Sequence, residues 1–270
     1  MTTDDQFQKV LNDLKTKNAE RVLSIWIPSL SKGVNFKHLT LNQQKSLLTS
    51  SIRENLLKLD FSRNILSIIA ENIAEPEVDI NKLNVIDMIS IGIAYRAADI
   101  SSDYGFYIDD VLHPIDLNEI CKKIRTIDYK KVSTPEIITS DGFHVSIQVP
   151  TIKVDKQMND HLHDKYKDLS DDTDSIKNIL PDVYICEAAK YINSIDIVSQ
   201  DDDPETPPIT IDFSNFNAVQ RLEALDQIPL TVLNRLVSVS DNVQSIESLI
   251  LDNIINGETV SIELNSAFFT

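Results

Sequence analysis

The first apolar residues of the chain recur at helical spacing. Within residues 4–18, Phe7, Val10, Leu11 and Leu14 fall at i, i+3, i+4 and i+7, which places them on one face of an amphipathic helix. The acidic start and the lysine-bearing end of this stretch complement a helix dipole. Such an apolar stripe needs a surface to lie on. We expect that surface to be the protein's own core, and a partner protein is the alternative.

The next stretch predicts a β-hairpin that leads into helices. Val22–Ile27 and Val34–Phe36 have the loose alternation of strands, and a proline- and glycine-bearing turn separates them. Thr40 and Gln43 then have the spacing of a capping box, in which each side chain bonds the backbone N–H of the other residue. Helices are predicted from there to about residue 59, at 62–72 and at 85–99. The helix at 85–99 is apolar on nearly every side, so we expect it to be central.

The pattern changes near residue 104 and remains typical of strands until residue 154. Asp141-Gly142 lies between two alternating runs and is a strong signal for a hairpin turn. A short helix at Leu117–Arg125 interrupts the strands. We therefore expect residues 104–154 to form a β-rich subdomain or insertion.

The last part of the chain is predicted to be mostly helical. Pro181 indicates that a main helix starts near position 180 and runs to Ile192. Residues 199–208 are acidic and rich in proline, which predicts a loop or linker. Beyond this loop the pattern predicts a strand at 209–213, helices at 214–224, 230–239 and 246–255, and a final strand at 260–264. Gly257 is interpreted as the C-terminal cap of the last of these helices.

Together these patterns predict an α+β protein that is mostly helical, with a hairpin near its start and a short strand near its end. The predicted regions are 1–103 (N-terminal helix, hairpin and helical region), 104–154 (β-rich subdomain or insertion) and 155–270 (C-terminal helical region with the acidic loop 199–208).

The net charge of the chain limits the classes of molecule that we expect it to bind. The chain has 42 acidic and 25 basic residues and a net charge of −17. Nucleic-acid binding depends on cationic side chains that displace counterions, so we do not expect a nucleic acid as the partner. Anionic membranes are disfavoured for the same reason, and no apolar run approaches the roughly 20 residues that span a bilayer. A basic protein surface is the partner that this charge suits best.

The residues with catalytic potential form no recognised site. Cys121 and Cys186 stand far apart in apolar helical contexts, which is typical of reduced, buried thiols in a protein made in a cytoplasm. His161 and His163 lie among aspartates, but residues two apart point away from each other on a helix. A solvated helix is therefore expected there, with a metal-dependent hydrolase as the alternative. We expect no enzyme activity, no metal and no cofactor.

Aromatic residues provide the candidates for a protein interface. Trp26 is the only tryptophan and lies close to Pro28, while Phe268 and Phe269 stand next to the last residue of the sequence. One interpretation is that these rings fill the core. The other is that they contact a neighbouring subunit, because aromatic residues dominate the energetics of interfaces.

The segment Ile25–Ile52 contains a set of residues that match a family pattern, namely Pro28, Ser29, Leu30, Phe36, Leu39, Thr40, Gln43, Gln44 and Lys45. Through these residues the segment is similar to the opening of the T4-type bacteriophage baseplate-hub protein family. The resemblance is specific within the first 50 residues and diffuse over the rest of the chain, where the C-terminal layout is also similar. His38 stands where a proline is common in the family.

This resemblance implies a structural component of the virion, in the hub region of the tail baseplate. The implied partners are other baseplate or tail proteins in a multi-subunit assembly that is built in the cytoplasm of the bacterial host. A transient assembly chaperone for hub or tail proteins, absent from the virion, is the alternative. The matching residues have fold-making roles, so the resemblance identifies a family without indicating a site.

Overall fold

The structure is a computed structural model that describes residues 3–52, 59–140, 142–166, 173–197 and 209–269. Within these ranges the chain is a mixed α+β protein in which helices alternate with antiparallel strand pairs. The helices are α1 (Thr3–Glu20), α2 (Leu41–Ile52), α3 (Leu59–Asn72), α4 (Val85–Asp99), α5 (Leu117–Ile124), α6 (Lys130–Ser133), α7 (Ile152–Tyr166), α8 (Thr173–Lys190), α9 (Ala218–Leu225) and α10 (Leu230–Leu251). The strands are β1 (Val22–Ile27), β2 (Lys32–Lys37), β3 (Asp103–Ile108), β4 (Val111–Asp116), β5 (Glu136–Ser140), β6 (Phe143–Ile147), β7 (Ile192–Ile197), β8 (Ile209–Asp212), β9 (Asp252–Ile255) and β10 (Glu258–Ser261).

The predicted hairpin and capping box near the start of the chain are confirmed. Strands β1 and β2 pair antiparallel from Val22 opposite Lys37 to Ile27 opposite Lys32. The Thr40 N–H donates to Gln43 Oε1 at 3.0 Å, and the Gln43 N–H donates to Thr40 Oγ1 at 3.2 Å. Two N–H groups that the first turn of α2 would leave unpaired are thereby satisfied, which is why the helix begins here.

Helix α4 is the central element of the fold and has the predicted bounds. Its isoleucines 86, 89, 91 and 93 are all buried, and it packs against β1, α3, α5, α7 and α10. A second capping box starts it, because Asn84 Oδ1 accepts from the Asp87 N–H and Asp87 Oδ2 accepts from the Asn84 N–H. The all-round apolar pattern therefore reflects contact with neighbours on every side.

The strands predicted at 104–154 belong to two different sheets. Strands β3 and β4 form a hairpin of their own, whereas β5 and β6 join β7 and β8 in the antiparallel order β5-β6-β7-β8. Gly142 adopts φ +82° in the β5–β6 turn, which agrees with the predicted hairpin. Because β6 pairs with β7, one sheet crosses the boundary predicted at residue 154. The strands of residues 104–154 therefore do not form a sheet of their own.

Arg221 links the C-terminal strands to α9 from inside the core. Its side chain is only 2% exposed, and its guanidinium donates to the carbonyl oxygens of Ile192 at 3.0 Å and Phe213 at 2.6 Å. The guanidinium carbon also lies 5.8 Å from the centre of the Phe213 ring. A buried cation that donates to main-chain carbonyls ties together segments that are distant in sequence.

Three predictions for the C-terminal part were wrong. Helix α8 starts at Thr173, not near position 180, and continues through Pro181 to Lys190. Strand β7, which was not predicted, follows it. The two helices predicted at 230–239 and 246–255 are one helix, α10. Asn256 and Gly257 both have positive φ, at 54° and 87°, and form the β9–β10 turn rather than a helix cap. The predicted acidic loop at 199–208 lies outside the described residues.

Candidate protein-binding surfaces

Helix α1 presents its apolar face to solvent. Phe7, Val10 and Leu14 are 59%, 57% and 54% exposed, and Leu11 is half-buried. The predicted helix is confirmed, but the expectation that its stripe lies on the protein's own core is wrong. The helix precedes β1, and the closely packed pairs of elements in the described fold do not include it. A row of three large apolar side chains is therefore available to another molecule.

The aromatic pair near the C-terminus lies inside the protein. Phe268 and Phe269 are 0% and 1% exposed. The Phe268 ring packs 5.0 Å from Tyr104 and 5.3 Å from Phe269, measured between ring centres, and Gln44 Nε2 donates to the Phe269 carbonyl oxygen at 3.3 Å. This burial matches the interpretation that the pair fills the core. A subunit could reach these rings only if the segment detached, so the geometry gives no support to their role as an anchor.

Trp26 is half-buried on β1. Its carbonyl oxygen accepts a hydrogen bond from Ser90 Oγ at 2.7 Å, which ties the strand to α4. Its side chain packs against the core and helps to line a surface cleft of about 170 Å³ together with Ala94 and Cys121. Trp26 thus remains accessible in part, and its predicted place at an interface is still a prediction.

The histidine pair lies on α7, as a solvated helix requires. His161 and His163 are two residues apart on that helix and are both partly exposed. Nearby, Asp182 of α8 is bonded by Lys165 Nζ and by the Tyr166 hydroxyl, and these two hydrogen bonds lower the pKa of Asp182. In the described part of the chain, no group of three or more His, Cys, Asp or Glu residues has the arrangement of a metal site.

Both cysteines are free thiols on helices. Cys186 is buried in α8 and Cys121 is half-buried in α5. Burial raises the pKa of the Cys186 thiol to about 11 and also raises the pKa of Cys121. A thiol with a raised pKa is a poor nucleophile, because the thiolate is the reactive form. Neither residue therefore has the electrostatic setting of a catalytic cysteine.

A buried charge cluster joins α7, α8 and α10. Lys190 is 7% exposed, and its ammonium group lies 2.8 Å from Asp155 Oδ1 and 2.6 Å from Glu187 Oε2 and donates to Asn159 Oδ1 at 3.1 Å. Burial alone would lower the pKa of Lys190, but the two carboxylates outweigh it and raise the pKa. Burial first, and then the carboxylates of Glu187 and Asp155, raise the pKa of Glu247 to about 7. Asp155 and Glu187 together therefore carry one more negative charge than the ammonium group of Lys190 balances.

A cleft of about 180 Å³ opens beside this cluster, between α8 and α10. Tyr184, Tyr191 and Leu236 form its apolar lining, and Glu187 and Asp241 contribute carboxylates. Tyr191 is buried, which raises its pKa to about 12 in spite of a hydrogen bond with Ser240. The other tyrosine of the lining, Tyr184, is 57% exposed. The cleft thus combines aromatic walls with an acidic rim.

A wider groove continues from this cleft along α10 to the β9–β10 hairpin. The two depressions share Asp241 and Gln244. The groove is lined by Leu249 and Ile254, which are 52% and 81% exposed. The rest of its lining is polar and includes Lys123 and Asp252, so the track that leads out of the acidic cleft carries two exposed apolar side chains among polar ones.

No helix in the described ranges has both the length and the apolar character needed to cross a bilayer. Comparison with known proteins gives no match to a family model, to a curated protein or to a solved structure.

The residues of the α1 stripe could be predicted from the sequence, whereas those of the α8–α10 cleft could not. The i, i+3, i+7 spacing identified Phe7, Val10 and Leu14, although spacing cannot tell whether a core or a partner covers them. The cleft is formed by residues that are about 50 positions apart in the sequence and share no local pattern. Only the packing of α8 against α10 brings them together.

Proposed function

We propose that this protein works by binding other proteins, as a structural component in the hub region of a bacteriophage tail baseplate. The observation that carries the proposal is the exposed apolar face of α1, with Phe7, Val10 and Leu14 each more than half exposed. Large apolar side chains aligned on one helix face are the usual means by which a helix docks on a partner.

The energetics of this face suit a contact within a larger assembly. Fully burying a Phe, Val or Leu side chain is worth about 1.5–3 kcal/mol. Since Phe7, Val10 and Leu14 are already partly shielded by their own helix, covering all three contributes roughly 3 kcal/mol. That is too little for a stable pair of proteins on its own, because association itself has an entropic cost of several kcal/mol. It is enough when several surfaces of one subunit are engaged together.

Charge and sequence resemblance support the same class of function. The net charge of −17 disfavours phosphate backbones and favours basic protein surfaces. The phage baseplate hub is the setting implied by the resemblance of Ile25–Ile52, in which Thr40 and Gln43 form the observed capping box. The proposed partners are accordingly other baseplate or tail proteins.

Peptide mass spectrometry of gradient-purified particles of the encoding phage tests the proposal. We expect peptides of this chain at a ratio to known baseplate proteins that stays constant through further purification. Recovery from the infected-cell lysate but not from particles would overturn a role in the virion, and it would indicate a transient assembly chaperone instead.

A further inference from the structure

We propose that the cleft between α8 and α10 binds an arginine side chain of a partner protein. The inference rests on the proposed function as a protein-binding subunit and specifies the chemistry of one of its contacts. It depends on three features: the aromatic lining of the cleft, its excess of negative charge, and the two exposed apolar side chains in the groove that continues from it.

The residues that line the cleft suit a planar cation at the end of an aliphatic side chain. Tyr184 provides accessible aromatic surface in a space of about 180 Å³, which the buried side chains of Tyr191 and Leu236 also line. A guanidinium group stacks on aromatic rings while its three methylene groups contact apolar surface. An ammonium group is more strongly hydrated and loses more on entering such a lining, so arginine fits this cleft better than lysine does.

The charge around the cleft favours a cation. Glu187 and Asp241 line it, and the side chain of Glu187 is 48% exposed although one of its oxygens already bonds Lys190. Lys190 itself is turned inward, where it contacts Asp155 and Asn159 as well as Glu187. Asp155 and Glu187 together carry one more negative charge than the ammonium group of Lys190 balances, and Asp241 adds another at the cleft. A guanidinium in the cleft would restore the balance that the single buried lysine leaves incomplete.

The neighbouring groove indicates what surrounds the arginine in the partner. Leu249 and Ile254 lie along the track that leaves the cleft past Gln244, and both are more than half exposed. A partner segment that places an arginine in the cleft would lay its adjoining residues on this track. We therefore expect apolar residues next to the arginine, which bury the exposed leucine and isoleucine.

The test uses the purified full-length chain and short synthetic peptides. One peptide has a single arginine between leucines, and the other has citrulline in place of the arginine, which keeps the shape and removes the charge. Binding is followed by two-dimensional ¹⁵N–¹H NMR. We expect the arginine peptide to shift amide signals of residues 184–191 and 236–244. The citrulline peptide should bind at least about tenfold more weakly, since it cannot form charge-assisted hydrogen bonds with the carboxylates.

Substitutions in the cleft test whether the arginine peptide binds there. Glu187→Gln with Asp241→Asn should weaken the arginine peptide about tenfold or more, and Tyr184→Ala should weaken it without affecting the fold because that side chain is mostly exposed. The matched control Glu77→Gln with Glu223→Gln removes the same charge from two exposed sites elsewhere and should bind as the unmodified protein does.

Three results would each overturn the proposal: equal binding of both peptides, signal shifts confined to other surfaces, or a cleft variant that binds like the control. Because the assay uses purified protein, its outcome is independent of whether the chain is found in phage particles. Absence from particles with retained arginine binding would refute the proposed function alone. Presence in particles without arginine binding would refute the proposed arginine site alone.

Discussion

Asp87 on α4 accepts a hydrogen bond from the backbone N–H of Ser29, 58 positions earlier in the chain, at 2.9 Å. The same carboxylate accepts from the N–H of Asn84 at 2.8 Å, so one buried side chain holds both the hairpin turn and the start of the central helix. Burial raises the pKa of Asp87, and the hydrogen bonds with Ser29 and Asn84 oppose this increase. The Pro28-Ser29-Leu30 turn is thus fixed to the core by its backbone.

Replacing Asp87 by alanine should destabilise the protein substantially. The change leaves the N–H groups of Ser29 and Asn84 without their acceptor in a buried place, which costs about 2–4 kcal/mol in the free energy of unfolding. Asp87→Asn keeps one acceptor oxygen and should cost less. Urea unfolding measures both, with Glu77→Ala as an exposed control that stays within about 0.5 kcal/mol of the original. Equal stability of Asp87→Ala and the control would contradict the role of Asp87.

Removing the N-terminal cap of α2 should have a smaller effect on stability. Thr40→Ala removes the hydroxyl that accepts from the Gln43 N–H and should cost about 1 kcal/mol in the free energy of unfolding. Thr49→Ala in the body of the same helix is the matched control, since its hydroxyl bonds the Lys45 carbonyl within the helix and alanine has the higher helix propensity. Thermal unfolding should show a lower midpoint for the first variant only, and an unchanged midpoint would show that water replaces the cap.

Removing the buried aromatic pair should damage the fold. Phe268→Ala and Phe269→Ala each leave a cavity next to α2 or Tyr104 and should each cost about 3–5 kcal/mol. Phe7→Ala on the exposed face of α1 should leave the stability nearly unchanged, although it removes the same ring. Urea unfolding of the three variants compares them directly. A double variant of the C-terminal pair that stays fully stable would return these rings to the list of interface candidates.

Stability should fall as the pH rises through the raised pKa of Glu247. The folded protein keeps this carboxyl protonated up to about pH 7, whereas the unfolded chain releases the proton near pH 4.5. The unfolded state therefore binds fewer protons between these values, and the free energy of unfolding decreases with pH across this window by an amount on the order of 3 kcal/mol. Glu247→Gln should remove this decrease. Urea unfolding at pH 5 and pH 8 measures this decrease in the free energy of unfolding. An equal decrease in Glu247→Gln and in an exposed control, Glu223→Gln, would contradict the raised pKa of Glu247.

The α1 face should matter for assembly and not for folding. Phe7→Ser, Val10→Ser and Leu14→Ser in one chain should leave the thermal midpoint within about 2 °C, because these side chains are mostly exposed. Incorporation into phage particles should decrease strongly when this chain complements a phage that lacks the original. The control Gln8→Ser, Asn12→Ser and Lys15→Ser changes exposed polar positions of the same helix. Normal incorporation of the first variant would show that another surface holds the subunit.

Local signals predicted the elements that they control. The reciprocal bonds of Thr40 and Gln43, the bounds of Val85–Asp99 and the turn at Gly142 all depend on neighbours within a few positions, so the sequence carries them directly. Pro181 misled the prediction, because an exposed proline in α8 lacks only one helical hydrogen bond and the rest of the helix compensates for it. Asn256-Gly257 is a strong hairpin signal, yet the apolar run before it continues the period of α10, and the prediction of a helix cap at Gly257 was wrong.

The two candidate surfaces also differ in how much of each could be predicted from the sequence. Spacing identifies the α1 stripe, but only tertiary packing determines that Phe7 is exposed while Phe268 is not. The acidic cleft depends on Glu187 and Asp241, which come from two helices and have no shared motif. In a chain with 42 acidic residues, no single carboxylate stands out before the fold is known.

The order of strands in the β5-β6-β7-β8 sheet has a consequence for how the chain folds. Strand β6 pairs with β7 at Ile147 opposite Ile192, so helices α7 and α8 must be traversed before the two strands can meet. Contacts between residues so distant in sequence slow folding, because the connecting chain has to lose its entropy first. During synthesis on the ribosome the β5–β6 hairpin emerges well before its partner strand. Its free edge at β6 is then open to the wrong neighbours, and rapid translation at high expression would favour aggregation through this edge.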